Sequence, residues 1–185
     1  MPILGTIASG ISGHLTSPWS PEGAYDSLAT ISLSTAAASV TFSGIPTGYK
    51  HLQIRATMMC SAVNNMYLQL GSGAIDTGAN YSWHQLYGDG SSALSNGTGS
   101  ATFSYIGYNN SISYPNPSIV DIMDYANLSK FKTYKTLAGT EANGTGFVQL
   151  WGGNWRSTSA ITSIKITPGS GNFTQHSTFA LYGVK

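Results

Sequence analysis

The sequence predicts an all-β fold: a single antiparallel β-sandwich, jelly-roll-like, with about ten strands and an extended N-terminal arm. Three observations predict it. From residue 25 onward, short runs of strand-forming residues recur at intervals of roughly 8 to 20 residues. Gly, Asn, Pro and Ser separate these runs, as in the turns of sandwiches and barrels. No segment carries the 3.6-residue period of an amphipathic helix.

Residues 1–24 form the predicted arm, and residues 25–185 the β-sandwich domain. The arm holds four Gly and three Pro, and its apolar residues follow neither a helical nor a strand period. Apolar side chains cost free energy in water, so we expect the arm to lie on a neighbouring protein, or alternatively along its own domain. The arm residues expected to make this contact are Ile3, Leu4, Ile7, Ile11, Leu15 and Trp19.

The clearest strand is the segment HLQIRATMMC at residues 51–60, in which apolar and polar residues alternate. Alternation places Leu52, Ile54 and their apolar neighbours on a buried face and Arg55 on the opposite face. Residues 66–70 follow closely and suggest a hairpin with this strand. Further strands are expected at residues 25–33, 38–45, 81–87, 101–108, 118–125, 134–140, 146–151, 160–167 and 177–182. Residues 71–80, 88–100 and 109–117 are expected to be long loops.

Charge is scarce in this chain. Only 8% of residues are charged, against about 25% in ordinary domains, and the net charge is +1. Such a surface suits an oligomer or a coat on a larger assembly. The basic residues are scattered, so no stripe follows a nucleic-acid backbone. Lys130, Lys132 and Lys135 form one cluster, interpreted as a solvated face.

The single cysteine, Cys60, excludes an intramolecular disulfide and is expected to be a buried, inert thiol. No stretch has the roughly 18 to 20 apolar residues of a transmembrane helix. The amino terminus lacks the basic region of a secretory signal, so we expect synthesis in a host cytoplasm and no membrane partner.

Catalytic and metal-binding motifs are not found. Asp121 and Asp124 are the closest acidic pair, and positions three apart in a strand face opposite sides. The four histidines show neither HExxH nor HxH spacing, and no GxSxG motif occurs. Asp76 and Asp89 lie in glycine-rich loops but lack EF-hand spacing. We therefore expect no enzyme activity, no cofactor and no metal.

Aromatic residues supply contact area without charge, which suits protein interfaces and sugar-stacking platforms alike. The segment LWGGNWRS places two tryptophans around two glycines. It is the predicted recognition tip, together with a tyrosine of the predicted loop 109–117. The candidate residues are Tyr114, Trp151, Asn154, Trp155 and Arg156.

The segments MPILGTIASGISGHL, IPTGYKHLQIRA and ITSIKITPGSGNFTQHSTFALYGVK resemble those of small virion proteins of tailed bacteriophages. The similarity runs from end to end. It implies a virion location, and proteins of this kind serve as capsid decoration (cement) proteins or as fibre and tail-tip modules, commonly as trimers. No catalytic residues come with the resemblance.

The leading hypothesis is a capsid decoration protein: a homotrimer that binds the major capsid protein or another virion protein through its arm and trimer base. The alternative is a tail-fibre or receptor-binding module whose loops recognise host surface glycans. A third hypothesis, a glycan-cleaving enzyme, requires a closely set acid pair, which the spacing of Asp121 and Asp124 disfavours.

Overall fold

The computed structural model describes residues 23–185. Within that range the chain folds into two antiparallel sheets without a helix, which confirms the all-β sandwich. The strands are β1 (Tyr25–Ser32), β2 (Val40–Ser43), β3 (His51–Met58), β4 (Asn64–Ser72), β5 (Ala74–Ile75), β6 (Tyr81–Gly88), β7 (Ala93–Ala101), β8 (Ser104–Asn109), β9 (Asn116–Met123), β10 (Lys132–Glu141), β11 (Gly146–Trp155), β12 (Ser163–Pro168) and β13 (Thr178–Val184). No helix in this part of the chain is long and apolar enough to cross a membrane.

The large sheet has eight strands in the order β1-β13-β3-β9-β10-β11-β6-β7. The small sheet has five, in the order β2-β12-β4-β5, and β8 also pairs with β4. Alternation along β3 holds as predicted: Leu52, Ile54 and Met58 are buried, whereas Arg55 and Thr57 are exposed. The central strands β3, β9 and β10 therefore present one face to the core and the other to solvent, whereas β7 at the edge is exposed on both faces.

The core lies between the two sheets. Leu52 and Ile54 of β3 belong to the same buried cluster as Leu68 of β4 and Ile166 of β12. Cys60 is fully buried in this cluster as a free thiol, as expected. Its pKa is raised to about 11 by burial, because a thiolate is poorly stabilised in an apolar core.

The predicted hairpin between the strand at residue 51 and the strand at residue 66 is wrong. β3 pairs with β13 and β9 in the large sheet, whereas β4 pairs with β12, β8 and β5 in the small sheet. Strand alternation reports burial but not the identity of the partner strand. Residues 59–63 carry the chain from one sheet to the other.

Two strands lie in segments predicted as loops. β5 is a two-residue strand that turns back on β4. β7 has the composition of a loop, ALSNGTGSA, yet pairs with β6 along nearly its whole length. Gly97 lies close against His84 on β6, since an added Cβ would come within 2.5 Å of His84 Cδ2 and the exposed imidazole would have to move. Pairing with β6 thus overrides the low β propensity of this segment.

The interpretation of the lysine cluster as solvated is wrong for Lys132, which is 0% exposed. Its Nζ donates hydrogen bonds to the carbonyl oxygens of Asn127, Lys130 (3.0 Å) and Thr158 (2.9 Å). Three acceptors compensate for the burial of the ammonium group. Lys132 therefore joins the loop after β9 to the loop after β11.

Candidate functional site

The outer face of the large sheet, meaning the face turned away from the small sheet, carries a row of exposed apolar side chains. Leu137 on β10 lies opposite Ile119 on β9 and opposite Leu150 on β11. Leu150 in turn lies opposite Leu86 on β6. These four residues, here called the apolar row, are each between 42% and 56% exposed. They form a continuous apolar line across four neighbouring strands.

Further apolar residues adjoin the row. Val148, two positions before Leu150 on β11, is 67% exposed. On the side of the apolar row away from Val148, a shallow hollow of about 710 Å³ lies between the row and the next outward-facing residues of each strand. Scattered exposed leucines are ordinary on protein surfaces, whereas a contiguous apolar group with a polar border is typical of an interaction site.

The polar border is formed by the next row of side chains on the same strands. Gln53, Asp121 and Lys135 lie opposite one another on β3, β9 and β10. Gln53 Nε2 donates to Asp121 Oδ1 (2.7 Å), and Arg55 Nε donates to Gln53 Oε1 (2.7 Å). This bonding holds the polar side chains down on the sheet, beside the apolar row.

Arg55 connects the border to the edge of the large sheet. Its guanidinium carbon lies 5.2 Å from the ring centre of Tyr25 and 5.1 Å from that of Tyr182. Cation–π contacts at these distances stabilise an arginine in a defined position. Along the outer face, aromatic and charged groups therefore lie at the β1 end, and apolar groups lie on β9, β10, β11 and β6.

The segment predicted as a recognition tip is not a tip. Residues 151–155 belong to β11, and Trp151 and Trp155 are buried. Trp155 Nε1 donates to Asp76 Oδ2 (2.7 Å), and Arg156 binds the carbonyl oxygens of Ala79 and Gly99. Asn154 Oδ1 accepts a hydrogen bond from Ser82 Oγ (3.1 Å). These side chains hold neighbouring strands and loops together.

Tyr114 is the one residue of that candidate set that is exposed, at 40%. It lies in the loop between β8 and β9, where Pro115 borders a hollow with Gly146 at the start of β11, whereas Trp155 lies at the other end of that strand. The structure therefore does not unite the predicted tip residues. The predicted arm contacts Ile3, Leu4, Ile7, Ile11, Leu15 and Trp19 lie outside the described residues.

The carboxylates that were considered for chemistry have separate structural partners. Asp121 accepts from Gln53 on the outer face, whereas Asp124 follows β9 with a φ of 47° and forms an ion pair with Lys130. The Lys130 hydrogen bond lowers the Asp124 pKa, and the charges of Lys130 and His51 add to this. Within residues 23–185 no group of three His, Cys, Asp or Glu side chains is placed to hold a metal ion.

Asp76 and Asp89 each organise a loop. Asp76 accepts hydrogen bonds from Trp155 Nε1, Asn80 Nδ2 (2.9 Å) and the Gly78 amide (2.8 Å). Desolvation raises the Asp76 pKa, but these hydrogen bonds together outweigh it and lower the pKa. Asp89 Oδ1 accepts from the amides of Ser91 and Ser92.

No protein-family model, curated protein or solved structure matches this chain. The apolar row was missed by sequence reasoning, although a signal for it exists. Adjacent apolar residues such as Ile119–Val120 and Leu150–Trp151 cannot both face the core of a strand, so one of each pair must point outward.

Proposed function

We propose that this protein is a non-catalytic structural subunit of a bacteriophage virion, a capsid decoration protein, whose copies associate through the outer face of the large sheet. The observation that carries the proposal is the apolar row of Ile119, Leu137, Leu150 and Leu86. Exposing four aligned apolar side chains is unfavourable in water, and a second copy of the chain removes them from it.

The size of the outer face suits an interface. Five strands about 4.8 Å apart and eight residues long span about 24 by 27 Å, or about 650 Å². This is comparable to the roughly 800 Å² that each partner contributes to a stable interface. With Lys135 and Arg55 set against Asp121, the face is close to neutral, so two copies meet with little repulsion.

A homotrimer is the arrangement we propose. In a ring, the contacting surface of one copy meets a different surface of the next, so each copy needs two contact regions. We propose the Ile119 end and the Leu86 end of the apolar row as these two regions. Each then has about half of the area of the outer face, or about 325 Å², so each contact is smaller than a standard interface. Residues 1–24, with their spaced apolar side chains, would then bind the major capsid protein or another virion protein.

The self-association is tested with the full-length chain by light scattering coupled to size-exclusion chromatography. The double variant Leu137→Lys/Leu150→Lys places two ammonium groups in the apolar row and should be monomeric. Leu128→Lys is the matched control, since Leu128 is an exposed leucine in the loop between β9 and β10. It should retain the wild-type mass. A monomeric wild-type protein, or a double variant that still associates, would contradict the proposal.

The virion role is tested by locating the protein in purified phage particles by cryo-EM and by quantifying its copy number. Many copies spread over the head support decoration. A few copies confined to the tail favour the fibre or receptor-binding alternative. Absence from the particles excludes a virion role altogether.

A further inference from the structure

A cleft of about 290 Å³ lies between the two sheets, at the end where β6, β7 and β11 approach β4 and β8. Its residues from β6 and β11 belong to the inward-facing set, and of these Gln85 also borders the hollow of the outer face. Small-molecule sites usually occupy about 300 to 1,000 Å³, so this cleft, at the lower end of that range, suits a ligand of one ring.

The chemistry of the lining is uniform. Every lining residue carries either a carboxamide or an aromatic ring, and none carries a charge. The carboxamides are Asn65, Gln85, Asn96 and Gln149, and the rings are those of Tyr87, Tyr108 and Phe147. In a chain with this many Ser, Thr and Gly residues, such a selection is not expected from composition alone.

The strand register brings these residues together. Gln149 on β11 lies opposite Tyr87 on β6, and Gln85 on β6 lies opposite Asn96 on β7. From the small sheet, Asn65 on β4 lies opposite Tyr108 on β8. The cleft is thus built on paired strands, which hold side chains more precisely than loops do.

Gln149 is the central residue of the cleft and is only 1% exposed. Its Oε1 accepts a hydrogen bond from the Tyr108 amide (2.9 Å), which fixes the carboxamide in one orientation. Its Nε2 has no acceptor among residues 23–185. The Nε2 is not among the fully buried polar atoms of the described residues, so solvent reaches it, and a ligand oxygen in the cleft would take the place of water there.

The carboxamide of Gln85 also makes no hydrogen bond within the described part of the chain, although it is half-buried. Together with Gln149 it supplies donors and acceptors that the fold does not use. The rings are not stacked in parallel: Tyr108 and Phe147 have centres 5.2 Å apart and planes at 86°, and Tyr87 and Phe147 have centres 6.0 Å apart and planes at 46°. In an edge-to-face pair one ring covers a face of the other with its edge, and the covering ring keeps both of its own faces free of that partner.

We propose that this cleft binds a neutral saccharide. Carboxamides both donate and accept hydrogen bonds, which matches sugar hydroxyls, and aromatic faces pack against the C–H face of a sugar ring. The lack of charge in the lining disfavours phosphates, carboxylates and cations, because nothing there would balance the charge of a buried ion. The site is independent of the proposed self-association.

The test is ligand-detected saturation-transfer NMR on the full-length protein with glucose, galactose, mannose and N-acetylglucosamine as probes. Glucose 6-phosphate and N-acetylneuraminic acid serve as charged counterparts. At least one neutral sugar should receive saturation from the protein, with a dissociation constant on the order of 1 mM. The charged sugars should bind more weakly.

Two variants locate the binding. Gln85→Met keeps the length of the side chain and breaks no hydrogen bond of the described residues, and Tyr87→Ala removes one ring. Each should weaken binding roughly tenfold. Gln175→Met and Phe131→Ala are the matched controls, because both residues are exposed and lie outside the cleft. They should bind the sugar as the wild-type protein does.

Three results would overturn the proposal. One is the lack of saturation transfer to every neutral sugar while the protein is folded. Another is wild-type affinity in both cleft variants, each with an unchanged thermal unfolding midpoint. The third is preferential binding of a charged sugar.

The Leu137→Lys/Leu150→Lys variant distinguishes this proposal from the proposed self-association. It leaves the cleft intact, so it should bind the sugar as the wild-type protein does even when it no longer self-associates. The two proposals can therefore fail separately.

Discussion

Leu137 and Leu150 lie directly opposite each other on β10 and β11, and each is about half exposed. Their strands contribute Tyr134 and Trp151 to the buried side of the same sheet. Both faces of the sheet's centre are therefore apolar, but only one is covered by the small sheet. This arrangement is typical of a sheet whose two faces are both buried in the assembled protein.

An association carried by these leucines should respond to salt in a characteristic way. We expect little change in the dissociation constant of the oligomer between about 50 and 500 mM NaCl, because few charges border the row. Ammonium sulfate should strengthen association, since it favours apolar burial. Sedimentation velocity over a concentration series measures both. If NaCl instead raised the dissociation constant strongly, ion pairs between copies, for example those formed by Lys135, would be the main source of the association.

Asp76→Asn should lower the free energy of unfolding by about 2 kcal/mol at neutral pH. Its Oδ2 accepts from both Trp155 and Asn80, and its Oδ1 from Gly78. An asparagine would turn an amide nitrogen toward at least one of these donors. Urea unfolding followed by tryptophan fluorescence measures the loss. Asp89→Asn is the control and should cost less than about 1 kcal/mol, because its Oδ1 can still accept from Ser91 and Ser92.

The same carboxylate gives a pH dependence. The pKa of Asp76 is below its ordinary value of 3.8 in the folded state, so its stabilising contribution is present above about pH 4. That contribution is lost as the pH falls through the lowered pKa. Wild-type stability should therefore fall more steeply below pH 4 than that of Asp76→Asn. Parallel curves for the two proteins would show that Asp76 has the same pKa when folded and unfolded.

Lys132→Met should lower the free energy of unfolding by about 2 kcal/mol, because it removes the donor shared by three partly buried carbonyl groups. Denaturant unfolding provides the measurement. Lys50→Met is the matched control, since Lys50 is exposed, and it should change stability by less than about 0.5 kcal/mol. Equal effects of the two substitutions would mean that the hydrogen bonds donated by Lys132 make no net contribution to the free energy of unfolding.

Cys60 should be unreactive in the native protein. The side chain is fully buried and its pKa is raised to about 11, so at pH 8 only about one thiol in a thousand is ionised. A chromogenic disulfide reagent should label no thiol in buffer and one thiol per chain in guanidinium chloride. Rapid labelling under native conditions would show that the core around Cys60 opens readily.

Local patterns account for much of the fold. The alternation in β3 and β9 is a property of neighbouring residues and is kept in the structure, whereas the turn residues of two predicted loops contain β5 and β7. The burial of Cys60 follows from the same alternation. These features are readable because side chains on a strand point to opposite faces with a period of two.

The candidate sites were less accessible to sequence reasoning. Trp151 and Trp155 were expected at a recognition tip because glycines separate them, yet they lie in the core. Gly153 is required there by packing rather than by a turn, since an added Cβ would come within 1.9 Å of Tyr134 Oη on the neighbouring strand. A glycine that accommodates an adjacent ring cannot be distinguished from a turn glycine by sequence alone.

The sequence by itself determined the fold class, the strands with clear alternation and the scarcity of charge, because each is a local or compositional property. Only the tertiary structure decided which strands are neighbours. That pairing aligned Ile119, Leu137, Leu150 and Leu86 into one row and brought Asn65 of the small sheet near Gln149 of the large sheet. These residues are far apart in the chain, and their proximity depends on long-range strand pairing, which no local pattern encodes.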